Sequence, residues 1–192
     1  MSTATVDHGW DWDSLYAAWR QLDVPDGWRA EITEEGITVT PPPMVPHVHV
    51  ASIIHRTLNA ALPADVLVLQ APGVAFSHLT RLYEPDLIVV PHAAVAGAEY
   101  TIPAERALLV VEITSRSNAR QDRTAKKWAY GHGPVPLYLL VDPWAADGPV
   151  TTLYADPVDG EYRSAQQIAF GGVIVLPAPF DIEIDSADFP RP

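Results

Sequence analysis

The segment Ala107–Ile113, ALLVVEI, constrains the fold of this chain more than any other. An apolar run of that length reads as a strand buried on both faces, which requires a sheet covered from both sides. Two runs of the same kind, DLIVV at 86–90 and LYLLV at 137–141, read as further buried strands. One residue breaks the pattern. Glu112 sits inside the run, and burying an ionised carboxylate there without a partner costs roughly several kcal/mol. The fold must therefore bring Glu112 a partner, a metal or a proton.

The rest of the chain supplies helices and further strands. Residues 11–22 read as a short helix capped by Asp11 or Asp13, with Leu15, Trp19 and Leu22 on one side. WRAEIT and ITVT form a hairpin that turns at Glu34–Gly36, and the prolines at 41–43 stop it. Val50, Ile53, Ile54, Leu58, Ala61 and Leu62 have helical spacing over 46–62, and Pro63 ends that helix. VLVLQ at 66–70 and VAFSH at 74–78 are expected strands, and 91–105 is an expected loop. Ser115, Ser117 or Asn118 caps a helix running to about Tyr130, where GHGP terminates it. From about residue 150 the pattern is β-rich. The expected fold is α/β, a mixed central β-sheet flanked by helices with a β-rich C-terminal part. An N-terminal helical extension, 1–27, precedes one domain, 28–192.

Composition removes several function classes. The chain has no cysteine, which excludes disulfides and thiolate zinc sites and makes the cytoplasm the simplest setting. It has no apolar run of about 18 residues, so no transmembrane helix is expected. The opening MSTATVDHGWDWD lacks the basic and apolar regions of a signal peptide. Phosphate-loop, dinucleotide-binding, nucleophile-elbow and zinc-protease motifs are missing. The net charge of −12 argues against strong sequence-independent DNA binding. Its distribution is uneven, however. Arg116, Arg120, Arg123, Lys126 and Lys127 fall within twelve residues against one acid, Asp122. That cluster is either a solvated helix face or a local positive field beside a polyanion site.

Three charged positions come together in this pattern. Asp86 opens a strand directly after Pro85, and Glu112 lies late in the next core strand. Two carboxylates from neighbouring strands suit Mg²⁺, a hard cation that takes oxygen ligands and keeps several waters. Asp122, Lys126 and Tyr130 are spaced i, i+4, i+8 on one helix face. Lys126 either pairs with Asp122 along the helix or points at the two carboxylates, where an ammonium offsets their charge and stabilises a pentacovalent phosphate. His47 and His49 are close enough to suggest zinc, but no third ligand recurs at metal spacing.

Asp86 within EPD, Glu112 on the next core strand and the helix after it resemble the PD-(D/E)XK nuclease superfamily. The ordered set AEIT, PPPMVPH, EPDLIVV, VVEITSRS, DRTAKKWAY and VPLYLLVDP resembles more closely the Uma2 family of restriction-endonuclease-like proteins, over roughly residues 28–185. The resemblance implies a restriction-endonuclease-like core and hydrolysis of DNA phosphodiester bonds with Mg²⁺ or Mn²⁺. It implies Asp86 and Glu112 as metal ligands and Glu31 as a third acid. Lys126 is the implied charge-stabilising cation, with Lys127 the second choice. His47 would position substrate or a water, and Arg116, Arg120 and Arg123 would contact flanking phosphates. The superfamily's strand lysine is Thr114 here, so the Uma-like pattern takes its lysine from the following helix; Leu139 stands where the family usually has Trp. A homodimer is expected of an enzyme that cuts both DNA strands. Two rival readings stand beside this one: an RNA-directed nuclease with the same site, and a non-catalytic binding or assembly protein on the same fold.

Overall fold

A computed structural model describes residues 10–191; the first nine residues of the expected 1–27 extension lie outside them. Helix α1 (Trp12–Arg20) is capped by Asp11, whose side chain accepts the Ser14 N–H at 2.8 Å. Strands β1 (Arg29–Thr33) and β2 (Gly36–Thr40) form the expected hairpin. Gly36 takes a positive φ of 107° at its turn, a conformation that glycine adopts without steric cost. Helix α2 (Val45–Ala61) starts with a proline in its first turn, where the missing N–H costs nothing. Next come β3 (Val66–Leu69), β4 (Gly73–Phe76), β5 (Arg81–Tyr83), β6 (Leu87–Pro91), β7 (Thr101–Pro103) and β8 (Leu109–Ile113). Helix α3 follows, covering 119–132 in three pieces: α geometry over Ala119–Gln121, a π turn over Asp122–Lys126, and α geometry again over Lys127–His132. The chain closes with β9 (Leu137–Asp142), β10 (Val150–Val158), β11 (Glu161–Ala169), β12 (Val173–Leu176) and β13 (Ile182–Asp185).

The central sheet has six strands in the order β11-β10-β9-β8-β6-β3. Only β8 and β9 are parallel in it, joined by the α3 crossover. Both of its faces are covered, as the apolar runs require. Leu87, Val89, Leu109, Val111, Leu139 and Val141 pack against α2 and the β12–β13 hairpin. Ile88, Val90, Val110, Tyr138 and Leu140 face the other way, onto Ala129 and Tyr130 of α3 and onto Val74, Phe76 and Tyr83. The second group has even numbers, so strand alternation puts Asp86, Glu112, Thr114 and Asp142 on the same face, beyond its apolar part.

A second, five-stranded sheet runs β2-β1-β5-β4-β7. The expected hairpin belongs to this sheet and not to the central one. The three-residue strand β5 joins the hairpin to β4, and the three-residue β7 forms the far edge; both are too short to show periodicity in the sequence. β7 and two 3₁₀ turns also occupy what reads as a loop at 91–105. Helix α1 packs on this sheet through Leu15 against Ile32 and Leu82, and Trp19 Nε1 donates to the Ala30 carbonyl. Leu22, expected on the packed side, lies past the end of α1 and is exposed. Among the described residues no helix is long and apolar enough to cross a membrane.

Candidate active site

Strand register brings the two central carboxylates together. Leu87 pairs with Val111 across the antiparallel β6–β8 ladder. One step further along, Asp86 faces Glu112, so the side chains emerge on one face of neighbouring strands. Asp86 is almost fully enclosed. Its Oδ1 accepts from Arg29 Nη1 at 2.7 Å and its Oδ2 from the Ile113 N–H at 2.8 Å. His47 Nε2, in the first turn of α2, lies 2.8 Å from Oδ1, a close contact without hydrogen-bond alignment. Burial alone would raise the Asp86 pKa; His47, Arg29 and the Ile113 amide outweigh it and hold the carboxyl below its usual value.

Glu112 finds its partners on α3. Its Oε1 accepts from Lys126 Nζ at 3.0 Å and from the Tyr130 hydroxyl at 2.7 Å. Lys126 also donates to Glu31 Oε1 at 2.8 Å, and that oxygen accepts the Glu84 N–H at 2.9 Å. The ammonium lies 3.6 Å from Asp122 Oδ1. Glu31, Glu112, Asp122 and Lys126 are all buried. The π turn of α3 carries Asp122 at its start and Lys126 at its end. Such local widenings of a helix recur at functional sites. Glu112 is thus tolerated in its apolar strand because a buried ammonium and a buried phenol meet it.

The basic cluster divides into parts with different duties. Lys126 turns inward. Arg123 braces Asp142, donating from Nε at 2.7 Å and from Nη2 at 2.8 Å, and also reaches the Trp144 carbonyl at 3.0 Å. Thr114, two residues after Glu112, donates to the same Asp142 at 2.9 Å. Arg116 stacks on the Trp144 ring at 4.3 Å, and Lys127 lies 5.4 Å from the Tyr154 ring. Arg116 and Arg120 are exposed. Arg123→Met should therefore lower stability by about 1–2 kcal/mol in a urea melt, the scale of charged hydrogen bonds discounted for its partial exposure. An unchanged midpoint would show that Asp142 needs no such brace.

Acidic groups outnumber basic ones in this cluster: Glu31, Glu84, Asp86, Glu112 and Asp122 face Arg29 and Lys126, with His47 in contact. Burial pushes Glu112 up to about 8, with Asp122, Asp86 and Glu31 adding to the rise and Lys126 opposing it. Burial likewise raises Asp122 to about 6 and Glu84 to about 7. Burial also works against the Lys126 charge, but Glu112, Glu31 and Asp122 outweigh it and hold its pKa well above the usual lysine value. Neither Asp122 oxygen has a hydrogen-bond partner among the described residues, and both are buried. A buried acidic set short of positive charge, with an orphaned carboxylate in it, fits a divalent cation. Among the described residues no three His, Asp or Glu side chains converge as a ready-made cage. Mg²⁺ does not require one, since it keeps waters and combines one or two carboxylates with substrate phosphates.

These shifts set a pH dependence. A carboxyl whose folded pKa exceeds its unfolded value binds more protons in the native state, so stability falls as pH rises between the two values. For Glu112 that window runs from 4.5 to about 8. Without metal, the melting temperature should fall from about pH 5 to about pH 8, with Glu84 and Asp122 contributing at the acid end, and Glu112→Gln should make that fall clearly shallower, above all between about pH 7 and 8. A native melting temperature that rises across the interval, or a variant with the same slope, would contradict this.

Of the positions singled out in the sequence, Asp86, Glu112, Lys126 and Glu31 converge, and His47 joins them through Asp86. His49 is exposed and does not. Three participants carry weaker signals. Arg29 lies two residues before Glu31 and so shares its strand face. Tyr130 shares the helix face of Lys126, and Asp122 reads as a surface ion-pair partner although it is buried.

Comparisons with known proteins agree with this architecture. A model of the Uma2 family, described as "Putative restriction endonuclease", matches residues 15–187. The structure resembles the crystal structure of a protein described as a putative nuclease belonging to DUF820, from Anabaena variabilis, with a TM-score of 0.70. The match covers 94% of this chain and 97% of that one at 14% identity, a likeness that carries the fold. No curated protein matches in sequence.

Proposed function

The chain belongs to the Uma2 family of restriction-endonuclease-like proteins, and on that footing we propose that it is an endonuclease hydrolysing DNA phosphodiester bonds with Mg²⁺ or Mn²⁺. The observation that carries the reading is the Asp86–Glu112 pair on facing strands, with Lys126 linking Glu112 to Glu31. Asp86 and Glu112 would hold the metal, which when bound activates a water and polarises the scissile phosphate. Arg29 and His47 keep Asp86 ionised and fix its direction. Tyr130 and Lys126 both occupy Glu112 Oε1, while Oε2 accepts no bond among the described residues. The Lys126 ammonium stabilises charge that develops on the phosphate. Arg116 and Arg120 supply flanking phosphate contacts; Arg123 joins them only by releasing Asp142. With a net charge of −12, binding to DNA rests on this local patch and weakens steeply with salt. A homodimer would place two such sites for a double-strand cut. The cysteine-free chain suits the cytoplasm, where DNA is at hand.

The test is incubation with supercoiled plasmid, and separately with single-stranded RNA, in Mg²⁺, Mn²⁺ or chelator. Metal-dependent nicking of the plasmid is the expected result. Cleavage of RNA alone would move the substrate class, and no cleavage of either would sink the reading. One observation favours a non-catalytic binding protein in that event: each of Asp86, Glu112 and Glu31 already has a protein cation within 3.0 Å.

A further inference from the structure

We infer that Lys126 is a built-in counter-ion of this site and that Asp122 is its alternate berth: the ammonium leaves Glu112 for Asp122 when a divalent cation takes the Asp86–Glu112 pair. The inference rests on the cation-site reading above. Lys126 Nζ is within hydrogen-bond reach of Glu112 and Glu31, at 3.0 and 2.8 Å, but stands 3.6 Å from Asp122 Oδ1, too long for such a bond. Asp122 is 1% exposed and both its oxygens lack a partner among the described residues. A buried carboxylate without a hydrogen bond is costly, and on this helix it serves as a vacant acceptor beside a movable donor. A shift of about 0.8 Å along the Nζ–Oδ1 line makes the bond. Asp122 and Lys126 bracket one π turn, so donor and acceptor belong to the same short stretch of helix.

The exchange keeps every charge matched. A cation on Glu112 repels an ammonium on the same carboxylate. Asp122 then gains the hydrogen bond it lacks, and Glu31, which accepts from Lys126 at 2.8 Å, is the ammonium's other acceptor. Asp122 is therefore a positioning residue that acts through Lys126. It keeps the ammonium beside the site without letting it compete for Glu112.

The chain has only two lysines, Lys126 and Lys127, so a sample with ¹⁵N-labelled lysine gives two side-chain signals. Mg²⁺ is titrated into the native protein while Asp and Glu carboxyl ¹³C signals are followed in parallel. The Lys126 signal should move together with those of Asp86 and Glu112, and Lys127 should not. In Asp122→Asn the Lys126 movement should be lost, and calorimetric Mn²⁺ affinity should fall about tenfold, the scale of losing an outer partner of a metal site. In a Lys126→Met background the same Asp122→Asn change should alter affinity less than about twofold, because the coupling runs through the lysine. Carboxyl signals that move while Lys126 stays still would overturn the berth and leave the metal site standing. An equal loss of affinity in both backgrounds would also overturn it, assigning Asp122 a charge effect only. If no signal responds to Mg²⁺, the berth and the metal site both fail.

Discussion

Lys126→Met should destabilise the metal-free protein by about 3–5 kcal/mol near pH 8, the cost of breaking a buried ion pair from one side. The variant removes the one ammonium that Glu31, Glu112 and Asp122 share, and all three acids are buried. For a chain of this size the loss corresponds to roughly 6–20 °C in melting temperature. It should shrink near pH 5, because Glu112 and Asp122, pushed up to about 8 and about 6, then carry protons and no longer need a cation. Mn²⁺ should recover part of the loss near pH 8, since the metal then takes over the lysine's charge. Thermal melts in chelator and in Mn²⁺, at the two pH values, check all three statements. A variant as stable as the native protein near pH 8 would show that the acids are neutral there without help.

Glu112→Gln should separate folding from function. The amide oxygen can still accept from Tyr130 and Lys126, and the costly buried charge is gone, so stability near pH 8 should hold or rise. Metal-dependent cleavage should nevertheless fall by at least about 10²-fold, the scale of losing one group that stabilises transition-state charge. Asp86→Asn would be a poorer probe. It leaves the largely buried Arg29 guanidinium without its carboxylate, so lost folding and lost chemistry would be mixed. The plasmid assay and a melt on the same preparation decide the matter. Activity that declines only in step with stability would make Glu112 a structural residue.

Glu112 is legible in the amino-acid sequence because a charge inside a doubly buried strand is physically expensive, and the doubly buried strands are legible from their continuous apolar runs. Lys126 follows from helical periodicity, which holds through the π turn well enough to keep Asp122, Lys126 and Tyr130 on one face. The division into two sheets is not legible. It depends on β1 pairing with β5 some fifty residues away, through a strand of three residues. Arg29 escapes notice for the same reason, since its bond to Asp86 spans 57 positions. The burial of Asp122 is hidden by its composition, because DR..K on a helix reads as an exposed ion pair. Arg123, expected at a phosphate, is tied instead to Asp142, a pairing between α3 and the end of β9 that no local pattern announces.

The central claim is that Asp86 and Glu112 together hold a divalent cation. Calorimetric titration of Mn²⁺ into the native protein and into the Asp86→Ala/Glu112→Ala variant tests it most directly. Binding to the native protein that vanishes in the double variant is the expected result. Binding that survives in the variant, or none to the native protein up to about 1 mM, the weak end of metal-site affinities, would contradict it.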